Sequence, residues 1–161
     1  MSMDAAHYRQ IIGHFATGVT VITTSADGWL HGMTANALTS LSLDPLLLLV
    51  CVDKTAHAHE QIAKAGRFGV NILCEDQEDI SRTFAATHEP EQGRLQVVAF
   101  HFGPEETPVL DGCLAYLECE VTEQLAGGDH TVYIGRVIGG EVVGEGPPLL
   151  FYRGGYRRLS V

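Results

Sequence analysis

The sequence GMTANALTSLSLDP occupies residues 32–45 and is followed at once by the apolar run LLLLVCV at residues 46–52. The first stretch is rich in small residues and hydroxyls and lies between two segments with the character of β-strands. Glycine and short polar side chains let a polar ligand approach the backbone closely. The same residue types also form ordinary turns, because their side chains hydrogen-bond to nearby backbone groups. The stretch therefore predicts a loop, and its composition makes that loop a candidate binding site.

The composition is typical of one globular domain. With 161 residues, 45% of them hydrophobic, the chain can bury a single core, and we expect one domain over residues 1–161. The net charge of −10 argues against a nucleic-acid partner held through its phosphates. The amino terminus has neither a secretory nor a transit pattern, and the four cysteines form no Cys-x-x-Cys pair, so we expect a cytoplasmic protein with reduced thiols.

Hydrophobic periodicity predicts the remaining elements. Residues 46–52 are apolar at every position, which predicts a central strand buried on both faces but is far too short for a membrane helix of roughly 20 residues. Residues 87–108 show no clear period, and we expect a functional flap or a poorly ordered excursion with a short strand within 95–102. Helices are expected at 5–16, with Gly18 as a stop signal, at 56–65, and at 77–86 with Asp76 as its cap; strands are expected at 19–24, 29–34, 68–73, 113–121, 131–138, 149–152 and 156–159.

These elements indicate a fold class. Strands at short spacing without regular βαβ alternation argue against a doubly wound parallel sheet. No Gly-x-Gly-x-x-Gly follows a strand, so a Rossmann site is not indicated. We expect a mostly β protein, largely antiparallel, with helices flanking a barrel.

Four polar residues are assigned to solvent. In residues 113–121 the odd positions are apolar, so Glu118 and Glu120 should lie on the wet face of a strand. His57 and His59 are two residues apart and would point away from each other on a helix, which favours a solvated turn over a metal pair. No metal site is expected.

Lys54 and Thr55 precede the predicted helix at 56–65. Free backbone N–H groups at a helix start, beside a lysine and a hydroxyl, make a plausible phosphate site. The alternative is that Thr55 caps the helix and Lys54 is an ordinary surface charge.

Several motifs follow one another in a specific order. They are FATGVTVITT at 15–24, HGMTANA at 31–37, SLSLDP at 40–45, NIL at 71–73, FA at 84–85 and GDHT at 128–131. In this combination the chain resembles the short-chain flavin reductases, the reductase components of two-component flavin-dependent monooxygenases, which have the FMN-binding split-barrel fold. The resemblance runs from about Tyr8 to Leu159. Leu38 departs from it, standing where the family often has an aromatic residue, and residues 87–108 match no family pattern well.

The resemblance implies a homodimer that binds FMN or FAD, takes a hydride from NADH or NADPH, and passes reduced flavin to a partner monooxygenase. It implies that Thr34, Ala35 and Asn36 lie beside the isoalloxazine ring, and that His130 faces the nicotinamide as the catalytic residue. The cofactor-binding residues implied in this way are Met33, Thr34, Ala35, Asn36, Ser40, Ser42, Cys51, Val52, Asp53, Lys54, Thr55, Phe84, Ala85 and Tyr156.

Hydride transfer from nicotinamide to flavin is chemistry of the cofactors, so the protein has only to orient two rings and hydrogen-bond the flavin edge. This explains the lack of a catalytic triad or paired carboxylates. His130 would contact the nicotinamide or protonate reduced flavin, since imidazole titrates near neutral pH. Its alternative role is a histidine that caps the Gly-Asp turn.

Two other functions fit the same fold. One is a flavin-binding electron carrier that does not use nicotinamide, for which a nicotinamide-facing histidine would be unnecessary. The other is an oxidase of the pyridoxamine-phosphate type, which should show a basic cluster beyond Arg153, Arg157 and Arg158.

Overall fold

The computed structural model describes residues 2–160; Met1 and Val161, the ends of the expected domain, lie outside the described part. The helices are α1 (Ala5–Ile12), α2 (His57–Ala65) and α3 (Glu78–Thr83), and 3₁₀ turns occur at Glu75–Gln77, Pro90–Gly93 and Leu95–Val97. The strands are β1 (Thr17–Gly18), β2 (Thr20–Ala26), β3 (Trp29–Ala35), β4 (Leu38–Leu43), β5 (Leu46–Asp53), β6 (Arg67–Ile72), β7 (Phe100–Phe102), β8 (Pro108–Leu110), β9 (Ala115–Gly127), β10 (His130–Val142), β11 (Leu149–Tyr152) and β12 (Gly155–Arg158).

Seven strands form one antiparallel sheet in the order β3-β2-β6-β9-β10-β5-β4. Its two edge strands, β3 and β4, are consecutive in the chain and joined only by Asn36 and Ala37, so the sheet must curl until its edges meet. The two edges are not paired with each other in residues 2–160, and the barrel is split at that point. A three-stranded sheet, β1-β11-β12, and the pair β7-β8 complete the β structure. The expected mostly antiparallel split barrel with flanking helices is confirmed.

Besides a small cluster of Val109, Cys113 and Tyr116, two larger hydrophobic clusters form the core of residues 2–160. One lies between α2 and the large sheet and includes Val50, Ile62, Phe68 and Tyr133. The other lies on the side of the three-stranded sheet and consists of Val19, Val21, Leu73, Phe84, Leu95, Leu110 and Leu149. Strands of the large sheet contribute to both clusters, which ties the two layers together.

The polar stretch at 32–45 is not a loop, contrary to expectation. Most of it forms β3 and β4, and β4 pairs with β5 through a bulge between Ser40 and Ser42. An antiparallel edge strand tolerates polar side chains, because one of its faces meets solvent. Only the two residues between β3 and β4 and the turn at 44–45 remain outside strands.

Residues 46–52 are not buried on both faces. Burial alternates along β5: Leu48, Val50 and Val52 are buried, whereas Leu47 and Leu49 are only partly covered. Side chains on a strand point alternately to opposite faces, and the second face of β5 lies outside the core of this chain. The expectation of a strand covered on both sides was therefore wrong for a single copy.

Two helices differ from their expected bounds. The first ends at Ile12, because the Gly13 N–H closes it on the Arg9 carbonyl (3.0 Å), and the expected stop, Gly18, lies in β1. The helix expected at 77–86 is a 3₁₀ turn followed by α3, and the Gln77 side chain, not Asp76, accepts the Cys74 N–H at its start (3.0 Å).

Glu118 is fully buried, contrary to its assignment to the wet face of a strand. Residues 103–107 fold over that face of β9, and the Glu118 carboxylate accepts hydrogen bonds from the Thr107 N–H (3.1 Å), the Thr107 hydroxyl (2.7 Å) and the Glu105 N–H (3.1 Å). Neutral donors can replace water around a buried carboxylate in this way. The aperiodic segment at 87–108 is thus packed against the sheet, and within 95–102 only Phe100–Phe102 forms a strand.

Candidate functional site

A cleft of about 230 Å³ opens where the barrel is split. Its residues come from the end of β3, the end of β5, the start of β10 and the segment after α3. They are Met33, Thr34, Ala35, Asn36, Ala37, Cys51, Asp53, Ala56, Ala85, Thr87, His88 and His130. Eight of the fifteen residues implied by the family resemblance are therefore brought together in one place.

Strand pairing positions one wall of this cleft, which we call the sheet wall: residues 33–36, residues 51–53 and His130. Antiparallel register places His130 opposite Asp53 across the β5 and β10 pair. The free edge of β3 is held by Thr34, whose N–H donates to the Phe84 carbonyl (2.9 Å) and whose hydroxyl donates to the Ser81 carbonyl (2.6 Å). Backbone ladders thus fix the polar side chains of this wall.

The other wall is irregular, and we call residues 87–94 the wall segment. Thr87 and His88 line the cleft from this side. Sequence reasoning missed both of them, because they stand in the aperiodic stretch. The one available signal was their place two and three residues after the Phe84-Ala85 motif.

The far end of the cleft carries a chain of polar contacts. Asp53 accepts hydrogen bonds from the Thr55 N–H and the Thr55 hydroxyl, both at 2.8 Å, and these bonds hold the pKa of the Asp53 carboxyl below its usual range. The Thr55 hydroxyl also lies 3.2 Å from His88 Nδ1, and His130 Nδ1 lies 2.7 Å from Asp129 Oδ1. Two imidazoles, one from each wall, therefore stand near an ionised Asp53.

The start of α2 does not offer the free amides on which the phosphate argument relied. The Lys54 N–H donates to the Asp129 carbonyl (3.0 Å), the Ala56 N–H to the Asp53 carbonyl (3.0 Å) and the His57 N–H to the Thr87 carbonyl (2.9 Å). Ala56 occupies the N-cap position, so Thr55 does not cap the helix either. Lys54 contributes an exposed positive charge close to the cleft.

A second cleft of about 270 Å³ adjoins the first along residues 34–36 and Ala85. It holds Tyr156, whose hydroxyl shares a 2.6 Å hydrogen bond with the Ser81 hydroxyl. The Arg82 guanidinium lies 4.8 Å from the centre of the Tyr156 ring. The edge of β3 therefore runs between two open lobes.

Six residues implied by the resemblance do not line these clefts. Val52 and Phe84 are fully buried in the two core clusters, Ser40 and Ser42 lie on the edge strand β4, and Lys54 projects into solvent. Thr55 reaches the site through Asp53 and His88, as described above. A role of these residues in cofactor binding stays a prediction.

His57 and His59 do not form a solvated turn. Both lie in the first turn of α2 and are partly buried. His59 Nε2 shares a 2.8 Å hydrogen bond with the Thr131 hydroxyl, whereas the His57 ring packs edge-on against His31, with 5.0 Å between ring centres. Packing of α2 against the sheet buries part of both imidazoles.

An apolar groove of about 590 Å³ continues from the first cleft and shares Asn36, Ala37 and Cys51 with it. The groove is lined mainly by aliphatic and aromatic side chains from α1, β4, β5 and β11, among them Ile12, Phe15, Leu38, Leu49 and Phe151. The apolar face of α1 remains open here, because none of that helix's residues is buried.

Within residues 2–160, no three His, Cys, Asp or Glu side chains come close enough together to hold a metal ion. In the same part of the chain, no helix has the length and apolar character needed to cross a membrane. All four cysteines are free thiols.

Comparison with known proteins adds independent information. The model of the flavin reductase like domain matches residues 12–160. The chain is 42% identical to the NADH-dependent flavin reductase of a Rhodococcus species, over 96% of this chain and 86% of that protein. It is 40% identical to the reductase component of 4-nitrophenol 4-monooxygenase/4-nitrocatechol 2-monooxygenase from Rhodococcus opacus, over 94% of this chain and 80% of that protein.

Among solved structures, the NADH:FAD oxidoreductase of Streptomyces globisporus superimposes with a TM-score of 0.92 at 37% identity, covering 98% of this chain and 94% of the other. Sequence, domain match and fold agree over nearly the whole length. This chain belongs to the flavin reductase like domain family.

Proposed function

We propose that this protein is a flavin reductase that transfers a hydride from NADH to FAD or FMN and supplies the reduced flavin to a monooxygenase. The observation that carries the proposal is the cleft at the split of the barrel, which the small or polar residues 34–36 line together with Asp53 and His130. The family membership supports the same activity.

The residues present fit a flavin. The two adjoining lobes together have a volume within the usual range of a cofactor site, about 300 to 1,000 Å³. Thr34 and Asn36 place short polar side chains along the edge shared by both lobes, and Ala35 and Ala85 leave room for a flat ring between them. When bound, the flavin accepts the hydride and the nicotinamide supplies it.

The protein's own contribution is to bind and orient. The backbone ladders of β3, β5 and β10 keep the sheet wall in place before any ligand arrives, which lowers the entropy lost on binding. His130, hydrogen-bonded to Asp129, lines the cleft, where an imidazole can contact nicotinamide or hold a proton. Tyr156 lines the second lobe.

NADH is the proposed hydride donor because the Rhodococcus relative and the Streptomyces globisporus neighbour are both named for NADH. These names favour a reductase over an electron carrier that does not use nicotinamide. The oxidase alternative lacks support as well, since Arg158 pairs with Glu75 (3.5 Å) and Arg157 and Arg158 border an acidic groove.

The direct test is the loss of absorbance at 340 nm from NADH, and separately from NADPH, with purified protein and added FAD, FMN or riboflavin. We expect NADH oxidation that rises with free flavin, because a flavin destined for another enzyme must leave the reductase. No turnover with either nucleotide, despite measurable flavin binding, would support the electron carrier instead.

We further propose that two copies assemble into a homodimer through the apolar groove. Tyr8, Ile11, Ile12 and Phe15 expose between 48% and 73% of their surface on or just after α1, and the half-covered Leu49 faces the same groove. A second copy would remove this apolar surface from water at roughly 25 cal/mol per Å². It would also cover the second face of β5, whose side chains are apolar although a single chain leaves them partly open.

Sedimentation velocity tests the dimer. We expect the wild-type protein to sediment as a dimer and Ile12→Asp, which lies in the groove, as a monomer, with Val97→Asp, an exposed position outside the groove, as the matched control. A monomeric wild-type protein, or dissociation by Val97→Asp alone, would contradict the proposed interface.

Three smaller proposals complete the assignment. We infer that the protein works in the cytoplasm, which the four free thiols support.

We infer that residues 1–161 act as one domain, since one sheet contributes to both of the larger core clusters. We infer that the partner is the oxygenase of a two-component system, as the name of the Rhodococcus opacus relative suggests.

A further inference from the structure

The wall segment makes little regular contact with the rest of the fold. Its only strand-like pairing within the described residues is a single bridge between Arg94 and His31 of β3. The preceding residues form the 3₁₀ turn Pro90–Gly93. Something other than a backbone ladder must hold Thr87 and His88 at the cleft.

The centre of the wall segment rests on a buried imidazole. His31 is fully buried, and Gly93 lies so close to its ring that a Cβ at position 93 would stand 1.7 Å from Cε1 and 2.2 Å from Nδ1 of His31. No side chain larger than hydrogen fits there unless the ring or the segment moves. Gly93 is therefore needed for its small size, and the contact fixes how deeply the segment sits.

His57 ties the same place to the start of the segment. Its N–H donates to the Thr87 carbonyl (2.9 Å), and its ring packs edge-on against both His31 (5.0 Å between centres) and Trp29 (5.7 Å). At the other end of the segment, the Arg94 guanidinium lies 4.7 Å from the centre of the Trp29 ring. The segment is thus held at its beginning, middle and end by one cluster of three rings.

Several buried nitrogen atoms of these three rings lack hydrogen-bond partners in the described part of the chain. Both ring nitrogens of His31, Nε2 of His57 and Nε1 of Trp29 are buried and make no hydrogen bond to any atom of residues 2–160. A buried polar atom without a partner destabilises a protein, typically by about 1–3 kcal/mol. An apolar side chain would fill the same space without this loss, so stability alone does not account for these residues.

We propose that His31, with His57 and Trp29, is a seat that positions the wall segment as the outer wall of the flavin cleft. His31 and Gly93 are on this view positioning residues: they act on the flavin through Thr87 and His88, which line the cleft. The inference rests on the proposed function, because it assigns a role in flavin binding.

The test is the Gly93→Ala variant, with flavin affinity measured by quenching of flavin fluorescence and turnover measured with NADH. We expect the dissociation constant and the KM for flavin to rise at least tenfold, while kcat at saturating flavin stays within threefold of wild type. Gly18→Ala is the matched control, since a Cβ there meets nothing within 4 Å. A Gly93→Ala protein that is folded and binds flavin as the wild type does would overturn the proposal.

A double variant separates the seat from a general loss of structure. Removing the imidazole makes room for the methyl group, so Gly93→Ala should weaken flavin binding less than threefold in the His31→Ala background. The same tenfold loss in both backgrounds would mean that the contact with His31 is not the cause.

If Gly93→Ala does not fold, Arg94→Gln provides the second measurement, because Arg94 is partly exposed and its loss removes only the contact between the end of the wall segment and the Trp29 ring. We expect a threefold to tenfold weaker flavin affinity, and an unchanged affinity would overturn the proposal. A wild-type protein that binds no flavin would instead contradict the proposed function, so the two failures are distinguishable.

Discussion

The two walls of the cleft are built by different means. In the sheet wall, residues 33–35 and 51–53 and His130 belong to strands whose backbones are paired with neighbours, and Asn36 directly follows β3. In the wall segment, Thr87 and His88 are positioned by a glycine pressed against a buried histidine and by one hydrogen bond to His57.

This difference shows how rigidity depends on the number of contacts that must break together. A strand within a sheet shifts only if many backbone hydrogen bonds are lost, whereas the wall segment needs to lose only its seat. Elements with few cooperative contacts open first in native proteins. We therefore expect perturbation of the sheet wall to affect chemistry or global stability, and perturbation of the segment to affect flavin affinity.

The largest effect should come from Phe84, where the two walls meet. Its ring is fully buried, packs against Gly32, and its carbonyl accepts the Thr34 N–H. We expect Phe84→Ala to lower the free energy of unfolding by about 3–5 kcal/mol, as is usual for a buried phenylalanine. Urea denaturation measures this, with the half-exposed Phe102→Ala as control, for which we expect a loss of about 1 kcal/mol or less.

If Phe84→Ala lost flavin affinity without losing stability, Phe84 would be a ligand contact, as the family resemblance implies. Phe84 would then be part of the cleft as well as of the core cluster.

The seat beneath the wall segment should make stability depend on pH. Burial, and secondarily the neighbouring His57, lower the pKa of His31 from about 6.5 to about 4. Because the pKa of His31 is lower in the folded than in the unfolded state, the stability that depends on neutral His31 is fully present above pH 6.5. It is lost as pH falls toward 4. The total is roughly 3 kcal/mol at 1.36 kcal/mol per pH unit.

Urea denaturation at pH 7, 6 and 5 of the wild-type protein and of His31→Asn checks this dependence. We expect the wild-type protein to lose stability faster than the variant over this interval. Equal losses of stability in the two proteins would show that the pKa of His31 is the same in the folded and the unfolded state.

The two histidines of the cleft allow a direct comparison of the walls. We expect His130→Ala, in the sheet wall, to lower kcat by about tenfold or more. A tenfold decrease corresponds to about 1.4 kcal/mol of lost transition-state stabilisation. We expect His88→Ala, in the wall segment, to raise the KM for flavin while kcat changes less than threefold. Steady-state kinetics with NADH and varied flavin distinguish the two, and a His130→Ala enzyme with normal kcat and flavin affinity would make His130 a turn residue only.

The smallest effect should come from Lys54, at the exposed end of the sheet wall. An exposed charge contributes about 1 kcal/mol or less to the binding of an anion, and salt screens it. We expect Lys54→Ala to weaken FMN binding by up to about fivefold at low ionic strength and to leave riboflavin binding unchanged. Equal affinity for FMN in variant and wild type would show that Lys54 does not approach the phosphate.

Motif reading was most successful where local sequence and strand pairing agree. The Thr34-Ala35-Asn36 and Gly128-Asp129-His130 motifs lie in different parts of the chain, yet both lead to the sheet wall, because each sits at a strand end. Thr87 and His88 could not be found in the same way, since no period or motif marks the segment that carries them. The free-amide argument for Lys54 and Thr55 failed because the Asp53 carboxylate accepts the Thr55 N–H and the distant Asp129 carbonyl accepts the Lys54 N–H.

The sequence by itself determined the fold class, most of the strands, the family and eight of the twelve residues that line the first cleft. Those features depend on alternation, turn residues and short motifs, which act over a few neighbouring positions. Only the tertiary structure decided that Glu118 is buried, that β5 has one open face, and that His31 supports the wall segment. Each of these features depends on contacts between residues that are far apart in the sequence. Patterns of neighbouring residues do not predict such contacts.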